Sequence, residues 1–262
     1  MGRKIVVTSG KGGVGKTTIV AGIARALASL NVTVCVIDAD IGLNNLDLVM
    51  NVENKVVYDL IDCMQGKCRI KQALIKDSVL DALYTLPSGK NLPINIVTTF
   101  ASIVDKLASI FDIVLVDSPA GLEDGFKRAI SSCSEVLVVV TPHISSLRDA
   151  NKTLTKIAAA DHILSKNIIV NRIRGDMVAS GDMMSHLDIE KLLNTNCIGV
   201  VPESDQYNAS SSLSFVSSGK EYFNQAFYLL AKNLLNGTNV QLDYTSKYTG
   251  FIGYFRRKLK RL

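Results

Sequence analysis

Gly10-Lys11-Gly12-Gly13-Val14-Gly15-Lys16-Thr17-Thr18 fits the pattern G-x-x-x-x-G-K-[ST]. An apolar run, Ile5-Val6-Val7, precedes it and reads as a strand, and a helix-like stretch, Thr17 to Leu30, follows. Strand, glycine-rich loop and helix in that order make a phosphate cradle. The glycines let successive backbone N–H groups point inward at phosphate oxygens. The helix start adds the positive end of its dipole to the same place. Lys16 is expected to reach the β- and γ-phosphates and the Thr17 hydroxyl to ligate Mg²⁺, with residues 10–18 as the nucleotide-binding surface. The bland alternative is a glycine-rich turn with no ligand, and the agreement of motif and context argues against it.

Other strand ends carry carboxylates and amides. Asp38-Ala39-Asp40 closes the second strand-like run. If extended, Asp38 and Asp40 share a face, so one could join a Mg²⁺ shell while the other orients water. The bland reading is an acidic surface turn. Ile113-Val114-Leu115-Val116 ends in Asp117, a second carboxylate placed to hold Mg²⁺. Asn171 and Pro202 each lie at the end of a later strand, a weak signal in isolation, and the bland reading of Asn171 is a turn-forming residue.

The heptapeptide Lys11-Gly12-Gly13-Val14-Gly15-Lys16-Thr17, with its extra lysine, resembles the deviant Walker A motif of the ParA/MinD family of ATPases. The stretch Asp38-Ala39-Asp40-Ile41-Gly42-Leu43-Asn44-Asn45-Leu46-Asp47-Leu48 is similar to switch I of the MinD branch, and Pro119-Ala120-Gly121 to switch II. The resemblance runs from residue 3 to the C-terminus and is weakest over Lys90 to Thr99. It implies a homodimer closed over two ATP·Mg²⁺, with Lys11 reaching the partner's nucleotide and Asp40 positioning the hydrolytic water. Lys11, Lys16 and Asp40 would then be the catalytic groups of a slow, partner-stimulated ATPase, and Thr17, Asp38 and Asp117 its metal site. It also implies that Asn171 hydrogen-bonds adenine, that Pro202 flanks the base, and that Ser145, Arg148 and Asp149 contact partners. Those partners would be a MinC-like inhibitor and a MinE-like activator. The same Ser145–Asp149 stretch reads equally as a solvated helix start with a serine N-cap.

Charge is distributed unevenly. Lys+Arg is 29 and Asp+Glu 24, a formal +5. Arg256, Arg257, Lys258, Lys260 and Arg261 crowd the last seven residues, and without them the chain is formally neutral. A chain that tracks a phosphate backbone would spread its cations over the body, so specific nucleic-acid binding is not expected. On a helical wheel Phe251, Ile252, Phe255, Leu259 and Leu262 fall within an arc of roughly 100°. Arg256, Arg257 and Lys260 lie outside it. That is a basic amphipathic helix suited to an anionic membrane surface, with each cation contributing about 1 kcal/mol there. The alternatives are a nucleic-acid tail or a segment folded back on the body. The helix is short, so one copy binds weakly and two copies joined in a dimer bind far better.

The N-terminus runs straight into a strand without a signal peptide, and no segment is apolar enough to span a bilayer. The expected location is cytoplasmic, peripheral on the inner face of the cell membrane. Cys35, Cys63, Cys68, Cys133 and Cys197 are scattered and include no Cys-x-x-Cys, so neither a zinc site nor a disulfide framework is indicated.

Strand-like runs (4–8, 33–38, 83–86, 113–117, 135–140, 167–171, 197–201) alternate with helix-like runs (17–30, 56–63, 70–74, 94–108, 125–131, 147–160, 186–194, 221–235). Several strands are unbroken Val/Ile/Leu runs, as in strands buried on both faces. The alternation predicts an α/β fold, a mostly parallel twisted sheet with helices on both faces, and ligands at the C-terminal strand ends. The expected organisation is an ATPase domain over 1–236, a flexible polar linker over 237–250 and the amphipathic helix over 251–262. Two rival functions share this fold, a flagellar-number ATPase and a DNA-partition ATPase. An iron–sulfur reductase would need cluster cysteines near Gly121, where none is patterned, and an ATP-binding scaffold without turnover remains a further alternative.

Overall fold

The computed structural model describes residues 1–42, 45–89, 97–203, 222–250 and 253. The apolar runs form eight strands: β1 Arg3–Thr8, β2 Val34–Asp38, β3 Ile75–Lys76, β4 Leu83–Leu86, β5 Ile113–Asp117, β6 Glu135–Val140, β7 Ser165–Ile173 and β8 Cys197–Pro202. They make one sheet in the order β3-β4-β2-β5-β1-β6-β7-β8, parallel except for β3. Every residue of β2 and β5 is buried, because helices cover both faces of a parallel sheet.

Between the strands lie α1 Lys16–Ser29, α2 Leu46–Met50, α3 Leu60–Met64, α4 Ile70–Ala73, α5 Val97–Ala108, α6 Asp124–Ser131, α7 Ile144–Ala158, α8 Gly175–Ser180, α9 His186–Leu193 and α10 Tyr222–Asn236. Helix α1 is buried nearly all round, from Ile19 to Ala28, since it lies between the sheet and α10. Sheet register does the positioning. Val7 pairs with Asp117 across β1 and β5, and Asp38 pairs with Asp117 across β2 and β5. Two carboxylates therefore stand side by side on adjacent strands, about 4.8 Å apart along the ladder direction, where the loop after β1 begins.

Several expectations are corrected. The helix expected from Val56 starts at Leu60, because Asp59 accepts from the Asp62 N–H and Asp62 reaches back to the Asp59 N–H, a capping box that fixes the start there. The helix placed at 147–160 begins at Ile144, with His143 and not a serine at the N-cap; Ser146 instead accepts from the Thr141 N–H at 3.0 Å. Short α2, α8 and the antiparallel edge strand β3 have no counterpart in the sequence reading.

The stretch 237–250 is anchored to the body at three buried side chains, with most of its other residues exposed. Leu242, Tyr244 and Tyr248 are buried. Gln241 donates to the Cys197 carbonyl at 2.7 Å, and the Asn233 amide donates to the carbonyls of Ile198 at 2.9 Å and Val240 at 2.8 Å. The first two bonds satisfy carbonyls of β8, the strand at one edge of the sheet, which would otherwise invite another chain. The amphipathic segment 251–262 lies outside the described residues apart from Gly253, as do residues 90–96 of the stretch with the weakest resemblance. No helix among the described residues is long and apolar enough to cross a membrane.

Candidate nucleotide site

The loop between β1 and α1 turns on Gly13 and Gly15, with φ of 77° and 89°. Both values lie in the left-handed region that side chains disfavour. At Gly15 a second constraint applies, since a Cβ there would collide with the Asn171 amide. That amide donates to the Val14 carbonyl at 2.8 Å, and its oxygen accepts from the Arg172 N–H at 2.9 Å. Asn171 thus braces the cradle from β7, a role its sequence context does not announce. Ser9 closes the other side by donating to the Lys11 carbonyl at 2.9 Å.

The two lysines of the loop have different environments. Lys16 is 8% exposed, and its Nζ sits 2.9 Å from Asp117 Oδ1. Lys11 is exposed. Thr17 follows Lys16 in the first turn of α1, and its hydroxyl lowers the Asp117 carboxylate. Thr18 is half-buried beside it.

Burial pushes the Asp117 carboxylate up, and Lys16 and Thr17 pull it part of the way back. Among the described residues no cation pairs with Asp38. Its carboxyl is pushed up to about 7, first by burial and then by the Asp117 charge, against hydrogen bonds from the Asp40 and Leu46 backbone. Asp40 is half-buried at the rim, and its N–H donates to Asp38 Oδ1 at 2.9 Å. Two buried carboxylates opposed across one ladder, with a hydroxyl between elements, suit a divalent cation, whose charge relieves both penalties. Among the described residues no three His, Cys, Asp or Glu groups converge to hold a metal unaided. That fits Mg²⁺ held by one or two carboxylates together with phosphate oxygens.

The loop after β5 joins the same assembly. The Ser118 N–H donates to the Val7 carbonyl at 3.1 Å and the Gly121 N–H to the Ser9 carbonyl at 3.2 Å. Helix α7 abuts the cradle from outside, and Gly10 has no room for a side chain because a Cβ would collide with the Asp149 backbone. Ser145 and Arg148 are exposed on α7 and Asp149 is half-buried, 3.3 Å from Lys152 Nζ. Pro202 ends β8 beside Ile173 of β7, half-buried. The structure therefore brings together Lys16, Thr17, Asp38, Asp40 and Asp117, with Asn171 behind the loop. Ser9 and the α7 contact escaped the sequence reading. The motif already requires glycine at position 10, so nothing in the sequence marked the latter.

With that geometry in place, comparison with known proteins is informative. The profile of the CobQ/CobB/MinD/ParA nucleotide binding domain matches residues 5–213. The septum site-determining protein MinD of Thermotoga maritima is 39% identical over 272 residues, covering 100% of both chains. Among solved structures, the MinC:MinD cell division protein complex of Aquifex aeolicus superposes with a TM-score of 0.82 at 37% identity, covering 91% of this chain and 97% of that one. MinD complexed with Mg-ADP from Pyrococcus horikoshii superposes at 0.77 with 26% identity, covering 90% and 97%. The chain therefore belongs to the MinD/ParA family of nucleotide-binding ATPases.

Proposed function

We propose that this ATPase is a membrane switch of division-site selection: Mg·ATP closes two copies into a dimer, and the paired C-terminal segments hold the dimer on an anionic bilayer. The observation that carries the reading is the contrast between the two lysines. Lys16 is committed to its own subunit's site through Asp117. Lys11 is exposed on the same loop and free to serve a neighbour's phosphates.

In this mechanism the backbone N–H groups of 10–18 and the Lys16 ammonium bind the β- and γ-phosphates. Thr17, Asp38 and Asp117 would hold Mg²⁺, which when bound would supply charge neutralisation at the phosphates. The Lys16–Asp117 pair pre-orients both groups, and the bound nucleotide offers each a stronger partner. Asp40, at the rim, orients the attacking water. Asn171 contacts adenine through the Nδ2–H that Val14 does not use, and Pro202 flanks the ring. The 118–121 loop, tied to β1 and Ser9, responds to the γ-phosphate and relaxes when it is lost.

Partner contact is assigned to α7. Ser145 and Arg148 face outward there while the Asp149 backbone touches Gly10, so a protein pressing on α7 acts on the phosphate loop directly. A MinC-like inhibitor and a MinE-like activator are the partners this reading expects, since the complex named above pairs MinC with MinD. Arg148→Glu should impair partner stimulation of turnover and spare ATP binding; unchanged stimulation removes α7 from the partner surface.

The membrane step rests on the sequence of 251–262. It is tested by vesicle sedimentation with Mg·ATP against Mg·ADP, comparing the full chain with one ending at Gly250. That end-point keeps buried Tyr248 in place. Pelleting that requires ATP and disappears on truncation supports the switch, and equal pelleting with either nucleotide overturns it.

A further inference from the structure

Cys63 and Cys68 come together although no spacing motif announces them. Helix α3 ends at Met64 with Gln65 as its C-cap, and Gly66 follows with φ of 72°. The Gly66 N–H donates to the Cys63 carbonyl at 3.2 Å and the Lys67 N–H to the Asp62 carbonyl at 2.9 Å. This paired bonding is a Schellman motif, and it reverses the chain. Cys68 is thereby carried back to the last turn of α3, with its Sγ 3.5 Å from that of Cys63.

Both flanks are fixed. Upstream, the Asp59/Asp62 capping box and the Leu60 N–H on the Pro87 carbonyl at 2.9 Å hold α3. Downstream, the Arg69 N–H donates to Gln72 Oε1 at 3.0 Å as α4 begins. Both thiols are half-buried, whereas Cys35, Cys133 and Cys197 are fully buried.

We infer that Cys63 and Cys68 are a redox modification site, a dithiol that closes to an intrachain disulfide by exchange with a small disulfide of the glutathione class. Bonded sulfurs lie about 2.05 Å apart, a closing movement within reach of side-chain torsions between anchored backbones.

The exchange balances in two displacements. The Cys68 thiolate attacks one sulfur of glutathione disulfide and expels one glutathione thiolate, which takes up a proton. The Cys63 thiol then gives its proton to water, and its sulfur attacks the Cys68 sulfur of the mixed disulfide, expelling the second glutathione. Two protein thiols are oxidised, and one glutathione disulfide is reduced to two thiols. Cys63 suits the second, resolving role. Burial and then the hydrogen bond with Cys68 push its thiol up to about 12, which makes it a slow first attacker.

The site has a route to the nucleotide loop. Gly89 packs against Ile61 and Asp59, and its carbonyl accepts from the Gly42 N–H at 3.2 Å, just beyond Asp40.

The test treats the full chain with oxidised glutathione, blocks remaining thiols with N-ethylmaleimide and digests with trypsin. Cleavage after Lys67 separates the two cysteines into peptides 56–67 and 68–69. The expected result is one species holding both peptides, two hydrogens lighter than their sum and split by reductant, with the other three cysteines alkylated only after unfolding. Cys63→Ser should leave Cys68 trapped as a stable glutathione adduct, and Cys68→Ser should leave Cys63 unmodified. Separate peptides carrying maleimide or glutathione in the wild type, a disulfide between chains, or no excess adduct in Cys63→Ser would overturn the inference.

Discussion

The cradle 9–18 and the stretch 237–250 are both largely irregular backbone, yet they are held in opposite ways. The cradle is fixed by backbone: left-handed Gly13 and Gly15, carbonyls bound by Ser9 and Asn171, and a strand register that sets Asp38 beside Asp117. Of its two lysines, Lys16 is buried against Asp117 and Lys11 is exposed. The second stretch is fixed by side chains: Leu242, Tyr244 and Tyr248 sink into the body, while Gln241 covers the sheet edge. Chemistry that uses backbone leaves a spacing pattern in the sequence. Anchoring by scattered side chains does not.

The comparison breaks most sharply at Lys16. Lys16→Ala deprives both Asp117 and the phosphates of a cation. A charge-assisted hydrogen bond is worth about 3 kcal/mol, so Mg·ATP affinity should fall by about 100-fold or more. Calorimetric titration giving an unchanged affinity would detach the buried ion pair from nucleotide binding.

Next comes Leu242→Ala. If 237–250 is a packed strap, removing this buried side chain costs about 2–3 kcal/mol in chemical denaturation and leaves nucleotide affinity alone. A loss under about 0.5 kcal/mol would restore the loose linker of the sequence reading.

The smallest expected effect concerns the contact of His186 Nδ1 with the Tyr244 hydroxyl at 2.7 Å. Tyr244→Phe should cost about 1 kcal/mol. Burial holds the His186 imidazole below its ordinary 6.5, more strongly than Glu190 and Asp188 raise it. The folded chain therefore binds fewer protons here than the unfolded chain as pH drops below about 6.5. This contribution to stability is fully present above that value and is lost as pH falls through the folded value. Protection of the amides at 239–248, taken relative to the intrinsic exchange rate at each pH, should fall on acidification in the wild type and respond less in His186→Gln. Equal acid responses in the two chains would show that His186 does not anchor the strap.

Much of the site was legible in the sequence because its parts sit at strand ends. The Gly10–Thr18 motif, Asp38 and Asp117 each follow an apolar run, and parallel pairing alone brings such ends together. Strands β4, β5 and β6 match their expected bounds, and in β5 and β6 the runs Ile113–Val116 and Val136–Val140 leave little choice. What escaped was tertiary. Nothing local distinguishes Asn171 as a brace from Asn171 as a turn residue. The Ser146 hydroxyl turned back to Thr141 rather than capping α7, a choice made by packing. Cys63 and Cys68 carry no familiar spacing, although Gly66 between them marked the chain reversal.

The most direct test of the account is the mass of the chain in solution with Mg·ATP, using Asp40→Ala to slow turnover, set against Mg·ADP. A mass doubled from 28.4 kDa with ATP alone, and returned to the monomer by adding Lys11→Ala, is the predicted result. A monomer with Mg·ATP bound, or a dimer indifferent to Lys11, would contradict it.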